Sequence, residues 1–166
     1  MFFIGRAALF VACLILAGFS VGSASAATQM GPKTNYSAAE VAAAIRNSGL
    51  NSNLMQYAND IGSLSQFESS GNTGIYNGTC CTGILQMNRS NLAAQGLTPQ
   101  QYANMSLQDQ VNAWAKLTNS AANAGSVKQL MAMESFDGQK VDGALVLACI
   151  QLGTGNCQKM IRSGSC

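Results

Sequence analysis

Four glycines, Gly71, Gly74, Gly78 and Gly83, fall within thirteen residues and interrupt a chain that elsewhere follows helical spacing. Glycine loses more conformational freedom on ordering than any other residue, so no helix is expected to run through this stretch. Asn77-Gly78 is a turn signal beside Ile75-Tyr76, which predicts a small hairpin or irregular lobe. Immediately before it, Leu54, Tyr57, Ile61, Leu64 and Glu68 recur at three- and four-residue steps, predicting a helix with Glu68 at its C-terminal end, on or beside the apolar face. A carboxylate placed there meets the negative end of the helix dipole and is partly desolvated. Both effects raise its pKa, as a general acid requires.

The remaining segments read as helices joined by short polar loops. Ser37 with Glu40 forms a capping box ahead of Val41-Ala42-Ala43-Ala44-Ile45, and Gly49 ends that helix. Ser106 with Asp109 forms a second box, opening a helix through Val111, Trp114, Ala115 and Leu117. Val141 to Leu152 is almost wholly apolar and is expected to be the buried central helix. Gly153-Thr154-Gly155 stops it, and Asn156 to Arg162 gives a short final helix. The expected fold is therefore mainly α: a helical bundle around a buried C-terminal helix, with a small irregular or β-hairpin lobe after Glu68.

The first residues bear on compartment. Met1 to Arg6 carries one positive charge, Ala7 to Val21 is apolar, and Ala24-Ser25-Ala26 offers a small-residue cleavage site, the pattern of a secretory signal peptide over residues 1–26. The apolar run is shorter than the ~20 residues of a membrane helix, so no stable span is expected after cleavage, and the protein is expected in the periplasm or secreted. Residues 27–36, with Pro32, read as a flexible lead-in, and residues 37–166 as one domain. Cys13 would leave with the signal. Cys80, Cys81, Cys149, Cys157 and Cys166 remain, and in an exported protein they read as disulfide partners. Their odd number leaves at least one unpaired within a monomer, and the connectivity is open. Adjacent Cys80 and Cys81 are expected to point differently, so that at most one acts as a staple.

Composition excludes several function classes. Charged residues are 10% of the chain, and without Arg6 eight basic face seven acidic residues, which gives no basic stripe for nucleic acid. There is no histidine, hence no Ser-His-Asp or Cys-His arrangement and no histidine-ligated zinc. Cys80-Cys81 lacks the spacing of a zinc site, and no metal or other cofactor is implied. Proton chemistry falls to a carboxylate or a cysteine.

Glu68-Ser69-Ser70-Gly71-Asn72, followed by Gly83-Ile84-Leu85-Gln86-Met87, resembles the Glu-Ser-x-x-Asn and Gly-Leu-Met-Gln-apolar elements of the soluble-type lytic transglycosylases, a lysozyme-like family. Ala144 to Ile161 is similar to that family's last core segment. The resemblance implies a lysozyme-like fold and cleavage of peptidoglycan glycan strands between N-acetylmuramic acid and N-acetylglucosamine, leaving a 1,6-anhydro end. Glu68 would be the catalytic acid and base, with Ser69, Gln86, Met87, Tyr76 and Gln151 on the substrate side. Ser69 has two readings, a hydrogen bond to Glu68 or the sugar, or closure of the helix end. Where the family has Ala-Tyr-Asn, this chain has Cys149-Ile150-Gln151. Ile150 donates no hydrogen bond, so orientation of Glu68 would pass to Tyr76, Tyr57 or Tyr102. The partners implied are the glycan strands and a secretion, conjugation or pilus apparatus needing a local opening in the wall. The alternatives are a lysozyme-fold glycan-binding or assembly protein with weak or no catalysis, and a secreted antibacterial effector. Of the other acids, among them Asp60, Asp109, Glu134, Asp137 and Asp142, none lies between Glu68 and Asp109, which favours one-carboxylate chemistry over two-carboxylate hydrolysis.

Overall fold

The computed structural model describes residues 26–165, so the expected signal, apart from its last residue, lies outside them, as do Cys13 and Cys166. The described residues are mainly helical with small antiparallel sheets, and they form two compact units, 26–119 and 120–165, within the span expected to make one domain.

In the first unit, helix α1 (Ala38–Arg46) starts as its capping box predicts: Ser37 Oγ accepts from Glu40 N–H at 3.3 Å, and Glu40 Oε2 accepts from Ser37 N–H at 2.8 Å. The stretch expected as one helix from Leu54 to Glu68 is two, α2 (Ser52–Met55) and α3 (Ala58–Ser69). Helices α1 and α3 pack together, burying Val41, Ala42 and Ile45 on one and Ile61, Gly62 and Leu64 on the other. They approach most tightly at Gly62, where a Cβ would lie 2.3 Å from Ala38 O.

Helix α3 ends where the glycines begin. Ser70 and Gly71 are both left-handed (φ 53° and 72°), and Ser70 N–H and Gly71 N–H return to Gln66 O and Ser65 O. A Cβ on Gly71 would stand 2.1 Å from Tyr36 O. The lobe that follows has strands β2 (Ile75–Tyr76), β3 (Cys81–Thr82) and β4 (Met87–Asn88), as the Asn77-Gly78 signal predicts in part. Thr28–Gln29 forms β1, and the sheet order is β1-β2-β3-β4, all antiparallel, with Thr28 opposite Tyr76, Tyr76 opposite Thr82, and Thr82 opposite Met87. The lead-in is thus not loose. Beyond the β1 pairing, Met30 N–H bonds Gly74 O at 2.8 Å and Tyr36 N–H bonds Gly71 O at 2.9 Å. Short helices α4 (Arg89–Ala93) and α5 (Pro99–Ala103) lead to the long α6 (Leu107–Ala122), which Ser106 caps through Asp109 N–H at 3.2 Å. Ile45, Ile61, Ile84, Leu92, Tyr102 and Val111 are fully buried in this unit.

The second unit contains α7 (Gly125–Met131), a hairpin of β5 (Ser135–Phe136) and β6 (Gln139–Lys140), α8 (Gly143–Leu152) and α9 (Thr154–Ser163). The hairpin turns through Asp137-Gly138, both at positive φ, as a two-residue turn of this hand requires. Helix α8 buries Val146, Leu147, Ala148 and Cys149 but leaves Ile150 half-exposed. Gly153, at φ 83°, separates it from α9, and a Cys149–Cys157 disulfide joins the two helices.

Candidate active site

Glu68 occupies the last turn of α3, half-buried, and its side chain has no hydrogen bond or ion pair among the described residues. Burial raises its pKa above the ordinary glutamate value, and no cation offsets the effect. It is a carboxyl biased toward its protonated form at a helix end, where it can give a proton and take one back. Beside it Phe67 is 74% exposed, an aromatic surface next to the acid.

Ser69 holds the other side of that turn. It is 8% exposed, and its hydroxyl lies within hydrogen-bond distance of Ser65 O (3.1 Å) and Ile84 O (2.9 Å). The helix end carrying Glu68 is therefore tied to the Gly83–Gln86 segment. The hydroxyl faces two backbone carbonyls, one within the helix and one in the Gly83–Gln86 segment. Met87, expected on the substrate side, is also a core residue, 3% exposed beside Thr82 in the sheet. Its apolar chain follows the inward alternation of β4.

Gln86 adopts φ 46°, a left-handed conformation that costs a non-glycine residue about 1 kcal/mol or more. Its Nε2 donates to Gly83 O at 2.8 Å, while its Oε1 is buried without a hydrogen-bond donor. Thr82 Oγ1 is in the same condition. A buried acceptor without a donor costs free energy, so Gln86 is a polar strain point in the segment tied to the Glu68 helix end. Tyr76 is half-buried on β2, with no hydrogen-bond partner for its hydroxyl among the described residues. Gln151 is exposed on α8, in the second unit.

Two of the three tyrosines considered for orienting Glu68 are elsewhere. Tyr102 is fully buried, its hydroxyl donating to Gln110 O at 3.1 Å, and burial pushes its phenol pKa far up. Tyr57 stands at the start of α3, about 16 Å along the helix from Glu68. Tyr76 remains. The carboxylates of the first unit are similarly occupied or distant. Glu40 and Asp109 serve capping boxes. Asp60 lies in the first turn of α3, about 12 Å along the axis, outside the separations of two-carboxylate glycosidases.

The sequence reading missed Gln110. It is 0% exposed on α6, between Leu107, Val111 and Trp114 of the buried face. Its Oε1 accepts from Ile84 N–H at 2.9 Å, and its Nε2 donates to Thr73 O at 2.9 Å and Tyr102 O at 2.8 Å. It thereby fastens the loop after α3 to the Gly83–Gln86 segment. Gly83 is required beside it: at φ 82°, a Cβ would lie 2.5 Å from Gln110 Oε1 and from Tyr102 Cε1. The one available sequence signal was a glutamine at an apolar position of a helical repeat.

The four described cysteines pair as disulfides, and one pair departs from expectation. Cys80 and Cys81 are joined to each other, Cα–Cα 3.7 Å, rather than pointing apart. Asn77 organises the turn around them, its Oδ1 accepting from the N–H groups of Thr79, Cys80 and Cys81 at 3.0, 3.0 and 3.1 Å. Among the described residues there is no cluster of metal-ligating side chains, and no helix is long and apolar enough to cross a membrane. No protein-family model, curated protein or solved structure matches the chain.

Proposed function

We propose that this protein is an exported peptidoglycan lytic transglycosylase of lysozyme-like fold, with Glu68 as its single acid and base. The observation that carries the reading is the Glu68 carboxyl itself: half-buried, raised in pKa by desolvation, without a countercharge, and tied through Ser69 to the segment bearing Gln86. Protonated Glu68 gives its proton to the glycosidic oxygen between N-acetylmuramic acid and N-acetylglucosamine, and the C–O bond breaks. The sugar's own N-acetyl group supports the cationic anomeric carbon. Glu68, now a carboxylate, takes the proton of the muramic C6 hydroxyl as that oxygen bonds to the anomeric carbon. The acid is regenerated and no water is consumed, so no second carboxylate is needed. Gln86 and Tyr76, both half-buried, stand on the substrate side. The two disulfides suit an oxidising compartment, the periplasm or the exterior, with local wall opening for a secretion, conjugation or pilus apparatus as the setting.

The test is mass spectrometry of soluble products after incubation with peptidoglycan. Anhydro-muropeptides released by the protein but not by Glu68→Gln would support the reading. Reducing ends would mean hydrolysis, and no release from folded protein would leave a second reading, a glycan-binding or assembly role. That alternative draws on Ile150 and Gln151, which stand where the similar family carries a tyrosine and an asparagine.

A further inference from the structure

A groove of about 250 Å³ opens in the first unit between Met30, Tyr76, Arg89, Thr98, Pro99 and Gln100. Gln100 Nε2 bonds Met30 O across it, and Thr98 Oγ1 is committed to capping α5. Two side chains of the lining are left wholly uncommitted: Tyr76, through its hydroxyl, and exposed Arg89, through its guanidinium, neither of which has a hydrogen-bond or ion-pair partner among the described residues. Arg89 is the only charged residue of the lining, and Met30, Pro99 and the Tyr76 ring supply its apolar surface. Arg89 follows Met87 and Asn88 directly, so the groove is built on the same strand that leaves the Gly83–Gln86 segment.

We propose that this groove binds a carboxylate carried as a side branch on the glycan strand, with Arg89 pairing the carboxylate and Tyr76 donating to it. A planar guanidinium matches a carboxylate with two parallel hydrogen bonds, and a single cation beside an apolar wall suits one carboxylate on a largely neutral ligand. The assignment rests on the glycan-cleaving reading of Glu68 and adds to it what distinguishes this polymer from a neutral one. The carboxylate has two sources, the lactyl acid of the sugar or the peptide stem attached to it.

The test is calorimetric binding of three soluble ligands: strands bearing peptide stems, strands stripped of peptide, and a neutral N-acetylglucosamine oligosaccharide. It uses Glu68→Gln protein to prevent turnover, with and without Arg89→Gln, and Tyr76→Phe as a second variant. Arg89→Gln is expected to weaken the acidic strands about tenfold and the neutral oligosaccharide not at all, with Tyr76→Phe weakening the same ligands less. Loss with peptide-bearing strands alone assigns the stem carboxylate; loss with stripped strands alone assigns the lactyl acid, which is an amide while a stem is attached; equal loss with both means that the groove takes either carboxylate. An equal effect on all three ligands, no effect, or no binding of any strand overturns the proposal. Were the unmutated protein to release no fragments while the Arg89 effect held, the cleavage reading alone would fall; cleavage without an Arg89 effect would remove the groove alone.

Discussion

A carboxyl made acidic or basic by its surroundings is a residue-scale device, and Glu68 depends on burial alone. Replacing it with Gln keeps its shape and removes the transferable proton, and glycan cleavage is expected to fall by about 10²–10⁴-fold. Its pH signature follows from the direction of the shift. Because the folded-state pKa is raised, the folded protein holds this proton more tightly than the unfolded chain, and the resulting stability is present at low pH and lost as pH rises through the raised value. Thermal melts of Glu68→Gln and unmutated protein should therefore coincide at low pH and diverge above it, with the variant more stable. Cleavage should lose activity on its alkaline side at a pH above the ordinary glutamate range. Gln110 is a framework residue of a different kind. Gln110→Ala strands Ile84 N–H and the Thr73 carbonyl and leaves Tyr102 O with the Met105 N–H, at a cost of about 3 kcal/mol in denaturant unfolding. Such a residue is hard to read in advance because its partners are backbone groups, Ile84 and Thr73 among them distant in sequence, which leave no periodic trace. The spacing that revealed Glu68 reports only neighbours one helical turn away.

At the scale of elements, the legible features were the local ones. The Ser37/Glu40 and Ser106/Asp109 boxes begin helices where the sequence says, and Asn77-Gly78 lies in the β2–β3 connection. Strand β1 was not legible: Thr28-Gln29 is two polar residues whose only instruction to extend is β2, nearly fifty residues on. The β5–β6 hairpin was announced by Asp137-Gly138, a turn signal passed over because the flanking strands have two residues each. Packing of α1 on α3 gives a sharp prediction. Helix propensity alone favours Gly62→Ala by up to about 1 kcal/mol, yet the added methyl would collide with Ala38 O, which is backbone and cannot swing aside. The variant is expected to lose about 2 kcal/mol net by denaturant unfolding, a sign opposite to propensity.

For the whole molecule, two compact units each carry one crosslink, and the crosslinks act differently. The Cys149–Cys157 bond closes a loop between helices, and replacing both cysteines with alanine should cost about 2 kcal/mol, seen as faster amide exchange in α8 and α9 while α1 and α3 keep their protection. The Cys80–Cys81 bond encloses no intervening residue, so its removal should leave global stability nearly unchanged while altering exchange at Thr79 to Thr82. Neither pairing was readable from spacing, since five cysteines allow many partners and adjacency ordinarily argues against a bond. Both bonds nevertheless join near neighbours, one and eight positions apart, and no thiol lies between Cys81 and Cys149. A chain emerging N-terminus first thus presents Cys80 and Cys81 to each other long before Cys149 appears, and Cys157 to Cys149 before Cys166 follows. Among these four cysteines the order of synthesis sorts the thiols, so oxidation as the chain emerges can reach both pairs without an enzyme to reshuffle wrong ones.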